Sequence, residues 1–303
     1  MNREEFRTQV PMQLSPENVV ERFWPYKRPA VFVGHPGHEL KVLGWLAEKR
    51  PRLHILTDGS GAKGHSRLPS TSQLLDRLGA QRGEVFGLLS DGDIYHAILE
   101  RKIALFSSIV DRVAQSLAEH GTDFVAADAA EGFNPTHDIC RQIANAAIYR
   151  AQILTGRSIA NYEFLLMEWD LNRLINHEPV KHDRRCWHLR LGNRLLKLKL
   201  DAARNYSELR GEVEQAIALK GEEYFRVECL RKVTCPFLEF QRGYRPYYEK
   251  LGQERVASGT YRSAIRYESH MLPILRGIRD HAIQHPGPRE VGESEVKGMK
   301  AAL

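Results

Sequence analysis

Val31-Phe32-Val33-Gly34-His35-Pro36-Gly37-His38-Glu39 is the stretch on which the fold turns. A run of β-favouring residues stops at Gly-His-Pro, which predicts a buried strand with a sharp exit into a helix continued by Leu40 to Glu48. Pro36 suits the first helical position, where a missing N–H costs nothing. His35 then takes the cap and His38 the third position of that helix, so two imidazoles stand at the end of one strand.

Phe124-Val125-Ala126-Ala127-Asp128 repeats this grammar, followed by Ala129 to Phe133 and by Asn134-Pro135-Thr136-His137-Asp138, which opens a helix running through Tyr149. Asn134 is a good cap, Pro135 a good first residue, and His137 falls at the third position, as His38 does. Between the two stretches Leu53 to Asp58 reads as a second strand. Strand, helix and strand in so short a span make a parallel βαβ unit. The expected class is therefore α/β: a Rossmann-like, mainly parallel sheet with helices on both faces. In such an open sheet the loops at the carboxyl ends of the strands face one crevice, which brings His35, His38 and His137 together. Three nitrogens with an open fourth position suit a catalytic zinc ion, or another divalent metal.

At these residues the chain resembles the PIG-L/LmbE family of zinc-dependent N-deacetylases. The family's Ala-His-Pro-Asp-Asp-Glu is matched by His35, Pro36 and Glu39, with Gly37 where the family has its general base and His38 where it has an aspartate ligand. Its His-Pro-Asp-His is matched by Pro135 and His137, with Asn134 and Thr136 in the other places. Thr57-Asp58-Gly59 is similar to the family's Thr-Asp-Gly, and Arg67 falls near its substrate-binding arginine. The resemblance spans roughly residues 28 to 185. It implies a zinc-dependent hydrolase that takes an acetyl or acyl group from an N-acylated amino sugar or related small molecule.

The expected organisation is a lead-in over 1–28 with a short helix from Pro16 to Phe23, an α/β domain over 29–185, a helical segment over 186–284 and a disordered tail over 285–303. Gly59-Ser60-Gly61-Ala62-Lys63-Gly64 satisfies a dinucleotide pattern formally, but His65 to Pro69 separate its last glycine from the next helix, expected from Gln73. A loop beside the site is the better reading, with Asp58, Lys63, Ser66 and Arg67 as candidate substrate contacts. Val85 to Leu89 reads as a third strand with Ser90 to Asp93 as its loop, and Ile94 to His120 as one long amphipathic helix. Gly156 is a stop for the His137 helix, and Tyr162 to Glu168 a further strand. Leu189 to Leu219, Gly221 to Val233 and Arg262 to His281 read as mostly helical.

At 303 residues, with 42% hydrophobic and 27% charged residues, the composition is that of an ordinary globular protein able to bury a substantial core. No apolar run is long enough to span a bilayer, and the charged first residues lack an export pattern, so a cytoplasmic protein is expected. The four cysteines have no Cys-x-x-Cys spacing, which favours buried thiols. The net charge of +6 is spread among acids such as Glu222, Glu223, Glu228 and Glu239, which argues against a nucleic-acid partner. A small-molecule sugar conjugate is the expected partner, and the oligomeric state is open.

With Gly37 in the base position, the proton for a leaving amine must come from elsewhere. Glu131 is the first candidate and Asp128 and Asp138 the next, against a role in which a carboxylate only orients a ligand histidine. Asn134 is a helix cap whose amide NH₂ is a further candidate for an oxyanion donor. Two alternatives stand beside the deacetylase: an esterase or other altered chemistry on the same scaffold, and a non-catalytic relative that binds a metal or a sugar.

Overall fold

A computed structural model describes residues 25–61, 64–167, 186–237, 239–240 and 243–284. The expected Pro16 to Phe23 helix, Lys63 and the tail beyond 284 lie outside the described residues. The strands are β1 (Pro29–Val33), β2 (Arg52–Thr57), β3 (Gln81–Leu89), β4 (Phe124–Asp128), β5 (Ala160–Phe164), β6 (Cys186–Arg190) and β7 (Val227–Lys232). Among the described residues they form a seven-stranded sheet in the order β3-β2-β1-β4-β5-β7-β6. The first five neighbours pair in parallel, and β7 and β6 add an antiparallel margin. The expected α/β class with a mainly parallel sheet holds.

The helices are α1 (Leu43–Lys49), α2 (Leu68–Leu78), α3 (Asp91–Leu99), α4 (Ile103–Glu119), α5 (Pro135–Thr155), α6 (Asn193–Arg204), α7 (Arg210–Lys220), α8 (Tyr247–Ala257) and α9 (Leu272–Gln284). Alternation along β1 divides the core. Ala30 and Phe32 pack with α4, α5 and α9 on one face, while Val31 and Val33 pack with α1 and α2 on the other. A strand buried on both faces has no polar alternation, which is why β1 and β4 read as continuous apolar runs. The strand order reverses between β1 and β4, so the crevice outside their carboxyl ends is a topological switch point, the usual ligand position in open α/β sheets. His35 and His137 follow these two strands.

Several local expectations are corrected. His38 is not the third residue of a helix begun at Pro36: it opens a 3₁₀ turn, His38–Val42, with Gly37 at its cap at φ 104°. That backbone conformation, open chiefly to glycine, stops a regular α-helix from starting at Pro36. Helix α2 begins at Leu68 rather than Gln73, because Pro69 sits within the first turn where proline is tolerated. Strand β3 starts four residues before Val85, and Asp91 belongs to a helix, with Ser90 and Asp93 forming a capping box. The long helix from Ile94 is two helices, broken at Arg101, whose φ of 54° reverses the chain. Strand β5 begins at Ala160 and ends at Phe164. The stretch from Gly221 to Val233 is a 3₁₀ turn followed by β7, so the C-terminal part contributes strands as well as helices.

His54 in β2 is almost wholly buried, and its Nε2 has no partner among the described residues. Burial, then the charges of Arg52 and His120, push its pKa down to about 3. The unfolded ring takes up a proton below 6.5, whereas the folded ring stays neutral to about 3. Stability is therefore full above 6.5 and lost as pH falls from there toward 3. Between about pH 7.5 and about pH 5 the loss attributable to His54 is about 2 kcal/mol. Denaturant unfolding at both pH values should show this difference between the wild type and His54→Gln; parallel pH profiles would remove it.

Candidate metal centre

The turn after β1 and the start of α5 bring His35, His38 and His137 into one cluster. Their ring centroids lie 5.2 Å (His35 to His38), 5.2 Å (His35 to His137) and 4.7 Å (His38 to His137) apart, with interplanar angles of 80°, 70° and 90°. Gly34 permits this approach. A Cβ there would stand 3.2 Å from Asp128 Oδ2 and 3.6 Å from the His137 ring.

Carboxylates fix two of the rings. Asp128 Oδ2 accepts from the Gly34 N–H at 2.7 Å and from His38 Nδ1 at 2.7 Å. His35 Nδ1 lies 2.8 Å from Thr57 Oγ1 and 2.9 Å from Asp91 Oδ1. The Thr57 hydroxyl donates to the Gly34 carbonyl at 3.0 Å, so Thr57 Oγ1 can only accept from the ring. His35 therefore carries its proton on Nδ1, and the same holds for His38, whose Nδ1 faces the Asp128 oxygen that also accepts the Gly34 N–H. Both rings keep the Nε2 lone pair, the arrangement of histidine ligands backed by carboxylates. His137 differs: its Nδ1 is buried with no partner among the described residues.

Electrostatics favour neutral imidazoles. Burial lowers the pKa of His38 against the opposing pull of Asp128, and burial with His38 and His35 lowers that of His137 well below the ordinary value. Neutral rings are the metal-binding form. Burial works to raise the Asp91 carboxyl, but its bonds to His35 and the Gly61 N–H hold it below the usual range.

A zinc ion about 2.0–2.1 Å from each nitrogen, at tetrahedral angles, sets imidazole centres about 5.2 Å apart. The ring separations and the donor chemistry fit such an ion, and the partnerless His137 nitrogen needs a partner of some kind. The fit is one of donor set and spacing. As placed, no group of three or more His, Cys, Asp and Glu among the described residues is arranged to hold a metal ion.

The other candidate residues surround this cluster in different ways. Glu131, almost fully buried, accepts from the backbone N–H groups of Leu166 and Met167. Its carboxylate thus ties the loop after β4 to the chain after β5, and burial pushes its pKa up to about 7. Asp138 Oδ1 accepts from the N–H groups of Glu131 and Gly132, each at 3.1 Å, and burial raises this carboxyl to about 7 as well. Asn134 caps α5, its Oδ1 accepting from the Thr136 N–H at 2.8 Å. Asp58 shapes its own loop by accepting from the Ser60 N–H, and Ser66 donates to the Asp58 carbonyl. Arg67, half-buried, runs beside Gly59 and Gly61 close enough to oppose protonation of His38.

Asp91 and Thr57 are the site residues that sequence reading undervalued. Asp-Gly-Asp after a strand looks like a turn, and its bond to a histidine 56 residues away is tertiary. Strand β3 lies two places from β1 in the sheet, an arrangement that no local pattern announces.

No family model matches the chain, and no curated protein matches it. Among solved structures the chain is similar to an A40926 pseudoaglycone deacetylase, at 15% identity, with 68% of this chain and 96% of that one covered and a TM-score of 0.45. It is similar also to the zinc-inhibited form of a teicoplanin deacetylase, at 10% identity, with 79% and 95% covered and a TM-score of 0.42. At these values the likeness carries nothing about activity.

Proposed function

We propose that the chain is a metal-dependent hydrolase removing an acyl group from an N-acylated amino sugar or related sugar conjugate. The observation that carries this reading is the convergence of His35, His38 and His137, two of them locked as Nε2 donors by Asp91 and Asp128. These histidines would hold zinc, or another divalent cation. Bound there, the ion would supply Lewis-acid polarisation of an acyl carbonyl.

The chain's own groups do the rest. The Arg67 guanidinium has no ion-pair partner among the described residues and serves an anionic or polar group of the substrate, with Ser66 and Asp58 in the same loop. The Asn134 carbonyl is spent on the cap, which leaves its NH₂ to donate to a developing oxyanion. Glu131, Asp138 and Asp128 each already accept backbone N–H bonds. These committed groups are the candidates to supply a proton to a leaving amine, Glu131 and Asp138 both having carboxyls that burial raises to about 7. That commitment favours a second reading, an esterase whose better leaving group needs less protonation.

The test is metal analysis followed by acetate release from paired amide and ester amino-sugar conjugates. One bound ion and amide turnover are expected in the wild type, with both lost in His137→Ala. Ester turnover alone selects the second reading. Full metal occupancy without hydrolysis of either leaves a non-catalytic metal- or sugar-binding protein, and absence of metal removes the proposal.

A further inference from the structure

The turn that carries His35 and His38 holds itself weakly. Its 3₁₀ segment has no side-chain cap, and the bonds that lead into it, His38 N–H to the His35 carbonyl at 3.4 Å and Leu40 N–H to the Gly37 carbonyl at 3.2 Å, are at or beyond the long end of the normal range. Something outside the turn must fix it. Glu39 is fully buried, and its Oε2 accepts from the Gly37 N–H at 2.7 Å while its Oε1 accepts from the Thr71 hydroxyl at 2.7 Å. Thr71, in α2 and also fully buried, lies 2.7 Å from the Tyr206 phenol. Its own proton is given to Glu39, so this contact takes the phenol's proton. The Arg67 carbonyl, 3.3 Å from the phenol, is the weaker acceptor.

We propose that Tyr206 is a positioning residue for the histidine cluster, acting through Thr71 and Glu39 on the backbone of the Gly37 turn. The inference rests on the metal-site reading above only for its zinc arm. Two observations of different kind support it. The hydrogen-bond line joins three segments distant in sequence, and its three side chains, Glu39, Thr71 and Tyr206, are each at most 2% exposed. The same C-terminal segment also packs on the turn: a Cβ on Gly37 would stand 2.4 Å from Leu209 Cδ1 and 3.8 Å from Tyr206 Cζ. Asp128 and Asp91 orient the rings, and the Tyr206 line sets the backbone from which two of those rings project.

The experiment uses the full chain with ¹⁵N-labelled histidine. It reads the hydrogen-bonded Nδ1–H signals of His35 and His38 in metal-free protein, the His38 signal being identified with His38→Gln, and then titrates zinc. Tyr206→Phe and Thr71→Val are each expected to move these signals and to raise the zinc Kd about 10-fold, with the double variant no worse than either single. Thr71→Ser, which keeps the hydroxyl, restores wild-type behaviour. Wild-type signals and affinity in both Tyr206→Phe and Thr71→Val would overturn the proposal. Moved signals in a protein that binds no zinc even as wild type would uphold the positioning line and sink the metal-dependent reading instead.

Discussion

Asp128→Ala is expected to lower zinc affinity about 100-fold and to cost roughly 2–6 kcal/mol of stability. The carboxylate is fully buried, and one oxygen, Oδ2, serves both the Gly34 N–H and His38 Nδ1. Removing it leaves two donors without acceptors, and each buried unsatisfied group costs about 1–3 kcal/mol. It also frees the His38 ring to rotate and to exchange tautomers. Asp128→Asn separates hydrogen bonding from charge, because an amide oxygen can accept both bonds while its NH₂ takes the place of Oδ1, which has no partner among the described residues. Stability near the wild type in the Asn variant, with zinc affinity reduced only by the lost charge, is the expected result. Denaturant unfolding of the metal-free proteins and zinc titration check both. An Ala variant as stable and as tightly metal-binding as the wild type would show that His38 needs no orienting partner.

The histidine cluster was legible where it is written locally. His35, His38 and His137 each follow a buried strand, and the caps at Asn134 and Pro135 fix α5 as read. The partners of these residues were not legible, because they are set by strand order. Asp91 reaches His35 only because β3 and β2 lie beside β1, and Glu131 meets Leu166 and Met167 only because β5 pairs with β4. The β6–β7 pair was missed for another reason. Val227 to Lys232 lies next to strong helix-forming residues, and its strand character comes from pairing with Cys186 to Arg190 rather than from its own periodicity. Arg101 breaks a continuous apolar pattern with a single left-handed residue that no periodicity announces. Thr71 and Tyr206 carry no motif, and their link to Glu39 is a matter of geometry alone.

Gly37→Asp, which puts into this position the aspartate of the motif that the sequence resembles, is expected to cost about 2–3 kcal/mol and to yield no gain in turnover. Gly37 sits at φ 104° and ψ −20°, a conformation that a residue with a Cβ adopts only under strain of about 1–3 kcal/mol. The new Cβ would also stand 2.4 Å from Leu209 Cδ1, so that side chain must move. Leu209 is only partly buried and its methyl group is the end of a flexible chain, so displacement is the smaller part of the loss. The double variant Gly37→Asp with Leu209→Ala therefore recovers a minor share of the stability, and the backbone term remains. Since the Gly37 N–H is the group that Glu39 holds, strain at this residue moves His38 as well, and zinc affinity falls with stability. The measurements are unfolding of the metal-free variants, zinc titration and amide turnover. A Gly37→Asp protein that keeps wild-type stability and gains amide hydrolysis would mean that the turn accepts a carboxylate, and that the glycine reflects a different substrate rather than a different backbone.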